Sequence, residues 1–151
     1  MAISPEFQKR FQELVAETNE KTKTATAQKL GISYALFTKA YNYGILLKPQ
    51  ILARIADRFE VSLDYLLGLS DNCEWERPSR TTSFHERFAA LLASKELTAY
   101  ELSKRTHINK SNISQWKKFD YVPVLDDLLI LADFFDVSLD YLLGRTDNPR
   151  R

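Results

Sequence analysis

Five polar residues share one helical spacing: Lys110, Ser111, Ser114, Gln115 and Lys118. At about 100° per residue they fall on one side of a helix, with Ile113 and Trp116 on the other. The polar side holds two cations, two hydroxyls and an amide, and no acid. Such groups bond base edges and phosphate oxygens. A sulfur or imidazole site has less support. His85 and His107 lie far from any metal-ligand spacing, and the lone Cys73 cannot complete a zinc set, so neither metal nor cofactor is expected. There is no P-loop, no Gly-rich fingerprint and no nucleophile with a general base in structural context, which argues against an enzyme. Asn112-Ile113-Ser114 matches a glycosylation pattern, which has meaning only in a secreted chain.

The polar face needs a frame. Thr98 with Glu101 forms a capping box that opens one short helix, and Asn109 is a good N-cap for the next. Ile113 and Trp116 are expected in the core, anchoring the second of these helices.

The frame occurs twice. Val61-Ser-Leu-Asp-Tyr-Leu-Leu-Gly68 returns letter for letter as Val137 to Gly144, an offset of 76 residues. At that offset Thr22 meets Thr98, Ile32 meets Ile108 and Phe37 meets Ile113. Phe7, Phe11 and Leu14 meet Phe84, Phe88 and Leu91 at an offset of 77, so the first copy carries one extra residue in its first loop. An internal repeat of this length implies two copies of one small module. The predicted division is residues 1–72, a polar linker at 73–82, and residues 83–151.

In the first copy Ser4-Pro5-Glu6 opens a helix whose Phe7, Phe11, Leu14 and Val15 share a face. A second helix is expected from Lys23 to Leu30, with Gly31 in the turn. Ser33 caps a third, reaching Asn42. Pro49 starts a fourth, and Ser62 caps a fifth that Gly68 ends. In the second copy Ser83 and Glu86 suggest another capping box, and the helix carrying Leu128, Leu131, Ala132 and Phe135 follows Pro123. No strand signal competes. Trp75 in the linker is expected to dock on one module.

Composition fits an ordinary globular chain: 44% hydrophobic, 27% charged, net charge +1. That near-neutral total conceals polarity. Five lysines and no acid lie between Lys21 and Lys48, whereas seven Asp face Arg145 alone between Phe119 and Asp147. A local phosphate-binding surface is compatible with that pattern. The acids from Asp126 to Asp140 read as a solvated face. With no long apolar run and no signal-peptide pattern, a cytoplasmic, nucleoid-associated protein that avoids membranes is expected.

Five helices with a tight turn between the second and third resemble the Cro/CI-type helix-turn-helix family of phage and bacterial regulators, also called the XRE family. The resemblance covers Thr98 to Phe119 without a gap and extends through the closing octamer. In the first copy it runs from Thr22 to Gly68. It implies an all-α fold of two tandem five-helix, lambda-repressor-like modules. It also implies that the third helix enters the major groove of double-stranded DNA. Carried over by position, the base readers would be Lys110, Ser111, Ser114 and Gln115, with Lys118, Lys117 and Thr98 at phosphates. In the first copy Tyr34, Ala35, Thr38 and Lys39 take the reading positions, with Asn42 and Lys23 at phosphates.

The chain departs from the family pattern at the glutamine that often opens the second helix, where it has Lys23 and Ala99. It departs again in the turn, where the second copy has His107 in place of glycine, which predicts strain. The expected function is a sequence-specific regulator, foremost a repressor, acting as a homodimer or as a pseudo-dimer within one chain. The alternative is a protein-binding inhibitor or antitoxin-like partner that uses the aromatic surface around Tyr34, Tyr41 and Tyr43.

Overall fold

The computed structural model describes residues 2–151. The chain forms two compact units, the first ending at Trp75 and the second spanning Glu76–Arg151. Each carries five helices among the described residues.

In the first unit these are α1 (Pro5–Ala16), α2 (Lys23–Leu30), α3 (Tyr34–Tyr43), α4 (Pro49–Phe59) and α5 (Leu63–Leu66). Hydroxyls start most of them. Ser4, Thr22, Ser33 and Ser62 each accept a bond from the N–H three residues on, satisfying a donor that the helix leaves unpaired. Proline opens α1 and α4, where a missing N–H costs nothing. The core lies between α1, α3, α4 and α5, with Phe7, Phe11, Phe37, Leu52, Ile55, Leu63 and Leu66 fully buried. Phe11 meets Phe37 edge-on at 5.5 Å. Val15 is only half-buried.

Outside the helices, Ile3 and Ile45 form an isolated antiparallel bridge. Gly44 sits beneath it with φ +64°, and a Cβ there would lie 2.9 Å from that of Gln8.

In the second unit the helices are α6 (Phe84–Ser94), α7 (Ala99–Thr106), α8 (Lys110–Lys118), α9 (Leu125–Phe135) and α10 (Leu139–Leu142). Its core uses Phe84, Phe88, Leu102, Ile113, Leu128, Leu131 and Leu142. Bulk has been redistributed between the two cores. Where the first has Phe37 and Ala40, the second has Ile113 and Trp116, and all four are buried. Trp116 stands edge-on to Phe84 and Phe88, at 6.1 and 5.8 Å. Ile113 is close to Phe37 in bulk but Trp116 is far larger than Ala40, so the third helix fills more of the second core than of the first.

Two local expectations need correction. At Ser83 the capping box is incomplete: its Oγ accepts from the Glu86 N–H, but the Glu86 carboxylate accepts from Thr82 Oγ1 instead of closing on the Ser83 backbone. As expected, α9 follows Pro123; it starts at Leu125 with no side-chain cap. Pro123 lies two residues earlier and is buried, in the position that Leu47 fills in the first unit. The acids of the closing helices are not all solvated. Asp140 is only 5% exposed and pairs with the equally buried Arg145, as a buried charge must.

The segment read as a linker is tied at both ends. Cys73 accepts the Ser62 N–H through its carbonyl, and Ser79 donates its N–H and hydroxyl to Asp147 at 2.8 and 2.7 Å. Trp75 is half-buried.

Candidate nucleic-acid interface

The α7–α8 pair is built largely from its own residues. Thr98 Oγ1 accepts from the Glu101 N–H at 3.2 Å, and the Glu101 carboxylate accepts from the Thr98 N–H at 3.4 Å, completing the box that starts α7. The turn keeps left-handed geometry at His107, φ 65° and ψ 12°, although histidine has a Cβ. Ser103 Oγ donates to the Ile108 carbonyl at 2.6 Å, and Thr106 Oγ1 accepts from the Ile108 N–H at 3.3 Å. Asn109 then starts α8, its Oδ1 accepting from the Ser111 N–H at 2.7 Å.

The faces of α8 follow from this frame. Ile113 and Trp116 are buried. Lys110, Ser111, Gln115, Lys117 and Lys118 are exposed, and Ser114 is half-buried at the margin. Two hydroxyls, an amide and cations at both ends are thus presented to solvent on a helix with no acid in its first turn. Thr98 is also exposed, but its hydroxyl is engaged with Glu101.

In the first unit Tyr34, Ala35, Lys39 and Asn42 are exposed on α3, and Thr38 is half-buried. Tyr34 is 52% exposed and stacks on Phe37, which stacks in turn on Tyr41, at 6.5 and 5.4 Å. This face is aromatic where α8 is polar. Lys23 does not stand alone at the start of α2: its ammonium lies 4.6 Å over the ring of Tyr41.

The turn of the first unit is held from a distance. Arg54 donates to the Gly31 carbonyl at 2.9 Å and Arg58 to that of Lys29 at 3.0 Å. The corresponding positions of the second unit carry Ile130 and Phe134.

Several positioning residues escape a reading of the polar face alone. His85 Nδ1 lies 2.8 Å from the Trp116 carbonyl. A carbonyl only accepts, so this contact requires the ring proton on Nδ1. Gln8 and Gln12 donate to the Tyr41 carbonyl at 3.1 and 2.7 Å. In both units the first helix therefore holds the last turn of the third. The available signal was the repeat itself, which aligns Gln8 with His85 at the offset of the first helices. Tyr100, exposed on α7 beside Lys104 and Lys110, was also missed; its first-copy counterpart is Thr24.

Among the described residues no group of three or more His, Cys, Asp or Glu side chains is placed to hold a metal ion. No helix among them is long and apolar enough to cross a membrane.

Comparison with known proteins places this geometry. The chain is 39% identical over 64 residues to an uncharacterized HTH-type transcriptional regulator, YobD, of Bacillus subtilis (strain 168), covering 42% of this chain and 57% of that protein. It is 30% identical over 61 residues to the HTH-type transcriptional activator BcrR of Enterococcus faecalis, covering 40% of this chain and 30% of that one. The chain thus spans little more than half of one relative and under a third of the other. No solved structure matches significantly. The profile of the Cro/C1-type HTH DNA-binding domain matches residues 87–148, from α6 to just past α10. Residues 87–148 of this chain are therefore a Cro/C1-type helix-turn-helix domain.

Proposed function

We propose that the chain is a sequence-specific, double-stranded DNA-binding transcriptional regulator, and that it represses by occupying a promoter. The observation that carries this is the sorting of α8: Ile113 and Trp116 are buried while Lys110, Ser111, Gln115 and Lys118 stand exposed within a Cro/C1-type domain. In this reading Lys110, Ser111, Ser114 and Gln115 face base edges. Lys117 and Lys118 neutralise phosphates. A second recognition helix, from another chain or from the first unit, reads the other half-site.

The test is selection of DNA from a random pool, followed by titration across a salt series. Enrichment of one sequence, with affinity falling linearly in log[salt], supports the reading. Binding without sequence preference or salt slope overturns it. Repression is tested separately with a reporter carrying the selected site upstream; increased transcription would reverse the sign.

A second reading attaches to the first unit. Tyr34 and Tyr43 are exposed, Ala35 lies beside Tyr34, and the stacked rings run inward to Phe37. Exposed aromatics of this kind anchor protein interfaces. A stoichiometric protein partner lost on Tyr34→Ala, with DNA affinity unchanged, would assign the first unit to protein binding.

A further inference from the structure

Tyr100 occupies an unusual position. It is the second residue of α7, and its side chain is 54% exposed. Two ammonium groups converge on its ring: Lys104 Nζ lies 5.0 Å from the centroid and Lys110 Nζ 5.7 Å. Both distances are within the range at which a cation is attracted to the face of an aromatic ring. Lys104 is one turn along the same helix, but Lys110 is the first residue of α8. The ring therefore spans the turn and gathers one charge from each helix.

A lysine on its own is a poor reader. Its four-carbon stem is rich in rotamers, and its ammonium is a point charge without a fixed direction. A ring that already restrains the ammonium lowers the ordering needed on contact, as preorganisation does generally. The first unit makes the same kind of bridge with the partners exchanged. There Lys23 on α2 lies over Tyr41 on α3. The two sites have no aligned residues in common, since Tyr100 corresponds to Thr24 and Tyr41 to Lys117. The bridge across the helix pair is thus present in both units although the residues that form it differ.

We infer that Tyr100 is a positioning residue that holds the Lys104 and Lys110 ammoniums at the surface shared by α7 and α8, and thereby sharpens sequence discrimination by Lys110. This rests on the DNA-binding reading of α8. Tyr100 supplies the ring face; its hydroxyl is not required.

The experiment uses the full chain and two variants, Tyr100→Phe and Tyr100→Leu. The first readout is made on free protein. Proton–carbon NMR of the lysine Cε groups should show upfield ring-current shifts at Lys104 and Lys110 in the parent and in Tyr100→Phe, absent in Tyr100→Leu. The second readout is affinity for the selected DNA and for a scrambled duplex. Tyr100→Leu should lower the ratio of the two affinities about 3- to 10-fold, while Tyr100→Phe retains it. The salt slope should stay unchanged in both variants, because no charge is removed.

A double-mutant cycle completes the test: Lys110→Ala should cost less discrimination in the Tyr100→Leu background than in the parent. Absence of the ring-current shifts in the parent would overturn the inference. So would an unchanged affinity ratio in Tyr100→Leu, or an equal loss in Tyr100→Phe, which would assign the effect to the hydroxyl. If the parent chain itself selects no sequence, the DNA reading fails and this inference with it. If the parent selects and Tyr100→Leu selects equally well, only this inference fails.

Discussion

The guanidinium of Arg87 lies 4.0 Å over the ring of Tyr141, clamping the start of the second unit's first helix to its last. Arg87 also donates to the Thr146 carbonyl at 2.9 Å and to Asp147 at 3.2 Å. Arg10 repeats the arrangement over Tyr65 at 3.7 Å, donating to the Tyr65 carbonyl at 3.0 Å. Both clamps join residues more than fifty positions apart. Arg87→Met keeps the length of the side chain but removes these bonds. It should destabilise the second unit by about 1.5–3 kcal/mol, the range for hydrogen bonds from a charged donor. Thermal unfolding followed by tryptophan fluorescence reports it, because Trp116 lies in that core.

Acid stability should depend on Asp147. Its carboxylate accepts from the Ser79 backbone N–H, from the Ser79 hydroxyl and from Arg87, and these bonds, the backbone one foremost, hold it below the ordinary aspartate value. A carboxyl lowered in the folded state stabilises the fold above its unfolded value, near pH 4, and that contribution disappears as pH falls through the folded value. Asp147→Asn should therefore lower the melting temperature at pH 7, and the difference from the parent should close in acid.

Asp127 has the opposite sign. Partial burial foremost, then the neighbouring charge of Asp126, raises its carboxyl above the ordinary value. A group raised in the folded state favours the fold below its unfolded value, and that advantage is lost as pH rises through the folded value. Asp127→Asn should raise the melting temperature at pH 7 and have no advantage below about pH 3. An unchanged melting curve at pH 7 would show that the first turn of α9 offsets the penalty.

Left-handed positions give a graded series. At Gly144, φ +74°, a Cβ would lie 2.4 Å from the Thr82 carbonyl oxygen, so Gly144→Ala should cost about 2–4 kcal/mol through backbone strain and overlap together. At Gly31, φ +71°, the nearest atom is Arg54 Cδ at 3.4 Å, and the cost should be nearer 1–2 kcal/mol. His107 already occupies the left-handed region with a Cβ. His107→Gly should therefore stabilise the second unit by up to about 1 kcal/mol. Chemical denaturation of the three variants gives the order directly.

Two lysines of α8 should behave differently on DNA. Lys110→Ala should cost about 1–3 kcal/mol and relax preference at one base pair. Lys118→Ala should weaken binding to all sequences alike and reduce the salt slope by about one. Equal effects of both on selected and scrambled duplexes would remove Lys110 from the reading face.

The helices, their starts and the apolar face of α8 could be read from local patterns. Thr22, Ser33, Thr98 and Asn109 are N-caps in the structure, and Ile113 and Trp116 are buried. These features depend on residues within one or two turns of each other. What escaped depends on distant partners or on competition. Ser83 looked like a full capping box because the motif is local, yet Thr82 also offers a hydroxyl to the same carboxylate. Asp140 looked solvated beside other acids, and its burial against Arg145 needs the fold of the last helix and tail. His107 pointed to strain in the turn; the left-handed geometry is kept there, supported by Ser103 and Thr106.

The two turns are fastened by different means, and this makes exchange between the copies one-directional. Residues 98–118 carry Ser103 and Thr106 with them, so a graft into positions 22–42 would bring its own bonds to the turn. The reverse graft would leave Arg54 and Arg58 behind, and Ile130 and Phe134 have no side-chain N–H to offer the Gly31 and Lys29 carbonyls. The turn of the second copy's helix pair is portable; that of the first copy is bound to its own fourth helix.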